Sequence, residues 1–274
     1  AIQWFGDTRS IVIHPSIPPS WLSPLQLLLP SCQWSIDMAL LHQLRMLKEP
    51  EELSLIKTAQ EMAEQAIGTV LKSGLTGKTE RQIAQSLMDL RLEIGFDSVG
   101  PGLIASGPHT ASPHHTPTDR IIRKGDVVTI DIGGEYRGYH ADMTRSFVVG
   151  TSSSQIKEIY EIVLNAFTAA KQTASAGIPC SRVDLAGRQV ISQAGYGPYF
   201  THGIGHGIGL DVHEEPFLTS NSQQYLHSGM VFSIEPGIYI PGAFGIRIED
   251  LFVIQKDGST INLNYMPREL TEIE

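Results

Sequence analysis

Val127-Val128-Thr129-Ile130-Asp131-Ile132-Gly133-Gly134-Glu135-Tyr136-Arg137-Gly138-Tyr139-His140-Ala141-Asp142 reads as one β-hairpin with an aspartate on each arm. A second hairpin has the same device. Ser233-Ile234-Glu235-Pro236-Gly237 is followed by Tyr239-Ile240-Pro241-Gly242-Ala243-Phe244-Gly245-Ile246-Arg247-Ile248-Glu249-Asp250. A turn around Tyr136-Arg137 sets Asp131 opposite Asp142, and a turn centred on Gly242 sets Glu235 opposite Glu249. Directly opposed residues share a face, with Cβ atoms roughly 4.5–5.5 Å apart. Like charges so placed repel, and an apolar sheet holds them only with a counter-charge. Two divalent cations would supply it, at the roughly 3.5–4 Å separation of two-metal sites. The competing reading puts the acids on a solvent face. Ile130, Ile132, Ile234, Ile248 and Val253 argue against it, because these are the bulky residues of buried strands.

Between the hairpins lies Thr201-His202-Gly203-Ile204-Gly205-His206-Gly207-Ile208-Gly209-Leu210-Asp211-Val212-His213-Glu214-Glu215-Pro216. His202 and His206 have the i, i+4 spacing of a helical zinc pair, but the alternating glycines make a helix improbable. They suit backbone that approaches another group closely. His213-Glu214-Glu215-Pro216 is not HExxH, and Ile208 breaks any GxGxxG, so zincin and dinucleotide readings both fail. Three histidines near four acids point to at least one ligand. His114-His115 follows Pro113 in a Pro-rich loop, where either imidazole alone is equally well an exposed loop residue.

The remaining chain frames these segments. A length of 274 residues accommodates one large domain or one and a half. A net charge of −9 argues against nucleic acid or an anionic membrane as the main partner. Cys32 and Cys180 form no CxxC, which suits a reducing, cytoplasmic setting and offers no thiolate metal site. The apolar run Leu25-Gln26-Leu27-Leu28-Leu29 is too short to span a bilayer. Residues 1–46 read as strand 10–14, helix 22–29, strand 32–36 and helix 38–46, too little for a core of their own. Lys48-Glu49-Pro50-Glu51-Glu52 then opens a helix whose apolar face is Leu53, Ile56, Ala59, Ala63, Ala66, Ile67 and Val70. Thr79 caps a second helix over 79–94, and 155–174 and 182–193 give two more. The order is helices then hairpin, twice, which predicts two similar α+β halves.

Together these segments resemble the pita-bread metallopeptidases, the family of methionine aminopeptidase, aminopeptidase P and prolidase, over residues 47–270. The resemblance implies an α+β fold of two pseudo-symmetric halves around a curved antiparallel sheet. It implies a dinuclear metal site held by Asp131, Asp142, His206, Glu235 and Glu249. Gly203-x-Gly205-His206-Gly207-Ile208-Gly209-Leu210-x-x-His213-Glu214-x-Pro216, Glu235-Pro236-Gly237-Ile238-Tyr239 and Arg247-Ile248-Glu249-Asp250 look most like the X-Pro-cleaving branch. His114 falls where that branch has its substrate-contacting histidine, and His202 and His213 match its other two active-site histidines. Leu44-Arg45-Met46-Leu47-Lys48 resembles the junction after a creatinase-like N-terminal domain. The expected division is therefore 1–46, the last part of such a domain, and 47–274, the catalytic domain.

The implied function is a metallo-exopeptidase that hydrolyses the X-Pro bond at the N-terminus of dipeptides or short peptides, as an Xaa-Pro dipeptidase or aminopeptidase. The oxygen-rich ligand set suits Mn²⁺, with Co²⁺, Fe²⁺ and Zn²⁺ as substitutes. Two such ions would offset the acids and activate water near neutral pH. By resemblance, Glu235 is both ligand and proton shuttle, and His114 and His213 donate hydrogen bonds to substrate and intermediate. Arg247 lies two residues before Glu249, on the same strand face, and is expected to steady a ligand carboxylate. Thr144 and Tyr239 are weaker candidates for the same role. The expected partner is a short peptide, with a homodimer as the expected assembly and neither nucleic acid nor membrane involved. The alternative is a catalytically silent binding protein of this fold, or a metal-free creatinase-like hydrolase.

Overall fold

In the computed structural model, which describes residues 9–274, Arg137 and Gly138 both hold positive φ, 51° and 84°. That pair is what a two-residue hairpin loop matched to strand twist requires. It joins β4 (Val127–Tyr136) to β5 (Tyr139–Val149), with Tyr136 opposite Tyr139. The turn thus falls one residue later than the sequence reading placed it. Asp131 faces Thr144 and Asp142 faces Gly133. The two aspartates are diagonal neighbours on one face rather than direct partners. Diagonal pairs are still within reach of one another.

The chain divides into two units, Ala1–Arg45 and Met46–Glu274. In the first, β1 (Ser10–Ile13) pairs in parallel with β2 (Gln33–Ile36) across α1 (Pro19–Leu28). Helix α1 has no buried residue. Helix α2 (Met38–Met46) follows.

The second unit repeats one pattern. Helix α3 (Pro50–Lys72) starts on a capping box between Glu49 and Glu52, with proline at its first turn. Helix α4 (Glu80–Ile94) starts on another, between Thr79 and Gln82, and ends at Gly95 in the left-handed region. Both pack on a sheet of order β13-β5-β4-β3, with β3 (Leu103–Ser106) and β13 (Thr271–Ile273) at its edges. Then come α5 (Ser154–Thr173), α6 (Cys180–Gln193) and a second sheet of order β12-β11-β8-β6-β7. Its strands are β6 (Gly205–Gly207), β7 (Glu214–Leu218), β8 (Val231–Ile234), β11 (Asp250–Ile254) and β12 (Thr260–Asn262). A separate hairpin joins β9 (Gly237–Ile240) to β10 (Phe244–Arg247). Within this unit every pairing between named strands is antiparallel except β13 on β5.

Each half has its own core. Ile67, Ile83 and Leu87 of α3 and α4 pack on Ile130, Ile132 and Met143. Ile159, Val163 and Phe167 of α5 pack on Phe232 and Phe252. Full burial of one such side chain contributes about 1.5–3 kcal/mol. The helix-then-strand order read from the sequence is therefore the order of the fold.

Candidate metal centre

Glu235 and Glu249 sit at a seam. Gly237 faces Arg247 on one side of it, and Ile234 faces Asp250 on the other. Both ladders share one register, so Glu235 lies across from Glu249, as the sequence reading placed it. The Glu235 N–H donates to Ile204 O at 2.8 Å, and the Glu249 N–H donates to Thr144 O at 3.1 Å. The second bond ties the second half of the unit to the aspartate hairpin.

His206 occupies the middle of β6, which is a short strand and not the loop suggested by its glycines. A Cβ on Gly205 would overlap Ser233 O, and one on Gly207 would overlap Glu215 O. These glycines therefore admit neighbouring protein backbone. The His206 N–H donates to Ser233 Oγ at 3.0 Å. Its Nδ1 lies 3.0 Å from Gly207 O, the position of an N–H donor, which leaves Nε2 with a free lone pair. Nε2 lies 3.4 Å from Glu235 Oε1, 3.6 Å from Asp142 Oδ2 and 4.0 Å from Glu249 Oε1.

The five expected ligands converge in overlapping groups whose donor atoms all lie within 4.8 Å of one another: Asp131–Asp142–Glu249 and His206–Glu235–Glu249. Asp142, His206 and His213 form a third, so His213 also offers a ligand atom. The His213 ring centroid lies 4.2 Å from that of His206. Burial, then the charges of Asp131 and Glu235, raises the Asp142 carboxyl well above its ordinary value. Burial, then Asp142 and Glu235, does the same to Glu249. Burial brings Glu235 up to about 7. Burial, then His213, takes His206 down to about 4, which favours the neutral, ligating imidazole. Glu249 Oε1 is buried without a hydrogen-bond partner. A lone orphaned carboxylate oxygen among four acids and a neutral imidazole fits divalent cations, because the donor set is mostly oxygen and carries excess negative charge.

Arg247 organises the surroundings. Its Nη2 pairs with Asp131 Oδ2, its Nε donates to Thr144 Oγ1 at 3.0 Å, and Thr144 Oγ1 donates to Glu249 Oε2 at 2.8 Å. The arginine thus steadies two carboxylates, one directly and one through Thr144. Its Nη1 donates to Tyr239 OH at 2.9 Å, and that hydroxyl lies 2.8 Å from His202 Nε2. His202 Nδ1 lies 2.7 Å from Gly203 O. Both nitrogens of His202 are therefore engaged within the protein, although its ring faces the cavity. Burial, then Arg247, takes its imidazole down to about 4.

The centre opens into a cavity of about 430 Å³, lined also by His114, His202, His213, Leu103, Ile132, Val212 and Phe217. This is the size of a small-ligand site with apolar walls and a few convergent polar groups. His114 faces the cavity, whereas His115 turns away to Glu80 Oε2 at 2.9 Å. The sequence reading missed Gln60. Its amide donates to Asp142 O at 3.0 Å and accepts from Asp142 N–H at 3.1 Å. Among the described residues, the edge of β5 away from β4 pairs with a strand only at residues 147–149, so Asp142 finds this pairing in a side chain. Gln60 was visible as a polar residue inside the apolar face of α3, one position past Ala59. Phe217 and Val212 carried no such signal.

Comparisons with known proteins agree with this geometry. Residues 54–256 match the model of metallopeptidase family M24. An Xaa-Pro dipeptidase of Pyrococcus horikoshii is 38% identical over 267 residues, 96% of this chain and 75% of that protein. A probable dipeptidase PepE of Mycobacterium tuberculosis is 40% identical over 231 residues, and the match spans 84% of this chain but only 61% of that protein. An X-Pro aminopeptidase structure from Thermotoga maritima superposes with a TM-score of 0.91 at 34% identity, covering 97% of this chain and 76% of that one. A prolidase structure from Thermococcus sibiricus gives 0.87 at 39% identity, covering 96% and 72%. The fold is thus the pita-bread fold of the X-Pro branch. With carboxylates and an imidazole converging at the seam of that fold, and with the match running from the first long helix to the last hairpin, the chain belongs to metallopeptidase family M24.

Proposed function

We propose that this chain is a metal-dependent exopeptidase that releases the N-terminal residue from X-Pro dipeptides or short peptides. The observation that carries the reading is the convergence of Asp131, Asp142, His206, Glu235 and Glu249 around the unpaired Glu249 Oε1. Relatives with Xaa-Pro dipeptidase and X-Pro aminopeptidase names support the substrate class. These five side chains would hold two divalent cations, with Mn²⁺ favoured by the oxygen-rich set. When bound, such ions act as Lewis acids and lower the pKa of coordinated water.

The protein's own groups supply the rest. Glu235, at the seam beside His206 and Glu249, is placed to take up and return a proton during the reaction. His114 and His213 reach the cavity and donate hydrogen bonds to the substrate carbonyl as charge develops on it. Arg247 keeps Asp131 and, through Thr144, Glu249 in place. A free N-terminal amine held at this centre would restrict cleavage to the first bond. His202 serves by orienting Tyr239 and Arg247 rather than by touching substrate.

Residues 47–274 form the catalytic domain in this reading, and 1–46 a segment of creatinase-like N-terminal character. A homodimer is proposed as the assembly. Cys32 and Cys180, which form no CxxC, suit the cytoplasm. Among the described residues, no helix is long and apolar enough to cross a membrane. The test is hydrolysis of X-Pro dipeptide, X-Pro tripeptide, N-acetylated X-Pro and X-Ala substrates with Mn²⁺ present. Turnover of free X-Pro peptides and little of the acetylated ones is expected. Equal rates on acetylated peptides would overturn the exopeptidase reading, and no turnover with metals bound would favour a binding protein.

A further inference from the structure

His114 stands on the long connection between β3 and β4, and the structure shows what holds that connection. Glu80, the first residue of α4, has a fully buried side chain. Its Oε1 accepts from Ser106 N–H at 2.8 Å and Ser106 Oγ at 2.7 Å, and lies 3.0 Å from His109 Nδ1. Its Oε2 accepts from Thr118 N–H at 3.0 Å and Thr118 Oγ1 at 2.7 Å, and lies 2.9 Å from His115 Nε2. One carboxylate therefore grips both ends of residues 106–118, and also His115, next to His114. On the opposite side, Gly245 N–H of β10 donates to Thr110 Oγ1 at 2.8 Å, and Arg247 Nη1 reaches Pro113 O at 3.5 Å.

Glu80, His109 and His115 would also make a two-histidine, one-carboxylate metal set. The neighbours argue against a cation there. Neutral donors already fill both carboxylate oxygens. The Arg120 guanidinium bonds the same Ser106 hydroxyl at 2.7 Å, which places a fixed positive charge beside the cluster.

We propose that Glu80 is a positioning residue: its carboxylate clamps the 106–118 segment so that His114 is held against the metal centre. A displacement of about 1 Å in a catalytic group is enough to cost about a hundredfold in rate. The kinetic part of this inference rests on the peptidase reading above.

The test uses the full chain loaded with Mn²⁺. Glu80→Gln keeps the size of the side chain but turns an amide NH₂ towards groups that are themselves donors. It is expected to lower kcat on an X-Pro dipeptide by about tenfold or more, with KM and bound metal nearly unchanged. In the His114→Ala background the same change should cost less than about threefold, since one route to catalysis is lost only once. His115→Gln, whose amide can still donate to Glu80, should retain more kcat than His115→Ala. Amide exchange over 110–118 should quicken in Glu80→Gln while β4 and β5 keep their protection.

Losses that multiply in the double variant, or unchanged kcat with unchanged exchange, would overturn the clamp. So would loss of a bound metal ion in Glu80→Gln, which would make the cluster a metal site. If Glu80→Gln does not fold, the His115 pair decides by the same comparison. If the wild-type chain turns over no X-Pro peptide, the peptidase reading fails, and the exchange measurement alone decides whether Glu80 holds the segment.

Discussion

Asp142 shows how much depends on single side chains. Its carboxylate faces His206 and the Asp131–Glu249 group, while its backbone is paired by the Gln60 amide. Asp142→Asn should fold and yet bind little metal, because a neutral amide does not supply the anionic charge that divalent cations would need there. Metal content by mass spectrometry and turnover on an X-Pro peptide would both fall to near background. Gln60→Leu tests the backbone side. It strands a buried N–H and C=O, which costs about 1–3 kcal/mol of stability per unpaired group. Loss of such a support for a ligand typically weakens metal affinity by about 10–100-fold. Denaturant unfolding and calorimetric metal titration would measure the two effects separately. His114→Ala should keep both metals and lose mainly kcat. The four acids that converge at the seam were legible in the sequence because acids within Ile-rich strands stand out. Gln60 was less so, because its partner is main chain, and a pairing with backbone leaves no mark in residue type.

At the scale of elements, each hairpin was legible and one register was not. Positive φ at Arg137 and Gly138 moves the first turn by one residue, and nothing in Tyr136-Arg137-Gly138-Tyr139 alone fixes which pair forms the loop. The shift by two residues in pairing keeps both aspartates on one face, so the metal reading survives the error. The alternating glycines speak against a helix but do not by themselves indicate a strand, whereas close packing against Ser233 and Glu215 makes Gly205–Gly207 one. At the start of α4, burial alone would raise the Glu80 carboxyl, but hydrogen bonds from His115, Thr118 and Ser106 outweigh it and hold it at about 2 instead of 4.5. A depressed carboxyl adds stability at pH above its unfolded value and loses it as pH falls through the folded one. The stability difference between wild type and Glu80→Gln should therefore be full above about pH 4.5 and shrink towards pH 2. Urea midpoints across that range would show it. A difference that stays constant down to pH 2 would contradict the assignment.

For the whole catalytic unit, the two halves have separate cores and share the acids at their seam. Asp131 and Asp142 come from the first half, and His206, Glu235 and Glu249 from the second. Without cations the seam gathers like charges, so metal should stabilise the unit as a whole. Binding to the folded state alone adds about 2.7 kcal/mol at a hundred times Kd. Thermal unfolding should therefore move up with Mn²⁺ and down with a chelator, and Asp142→Asn should respond to neither. The most direct measurement is a crystal structure of the chain grown with Mn²⁺, with anomalous diffraction recorded at the manganese edge. Two peaks, surrounded by oxygens of Asp131, Asp142, Glu235 and Glu249 and by Nε2 of His206, are the expected result. No peak at that seam, or peaks only at the Glu80–His109–His115 cluster, would contradict the dinuclear centre.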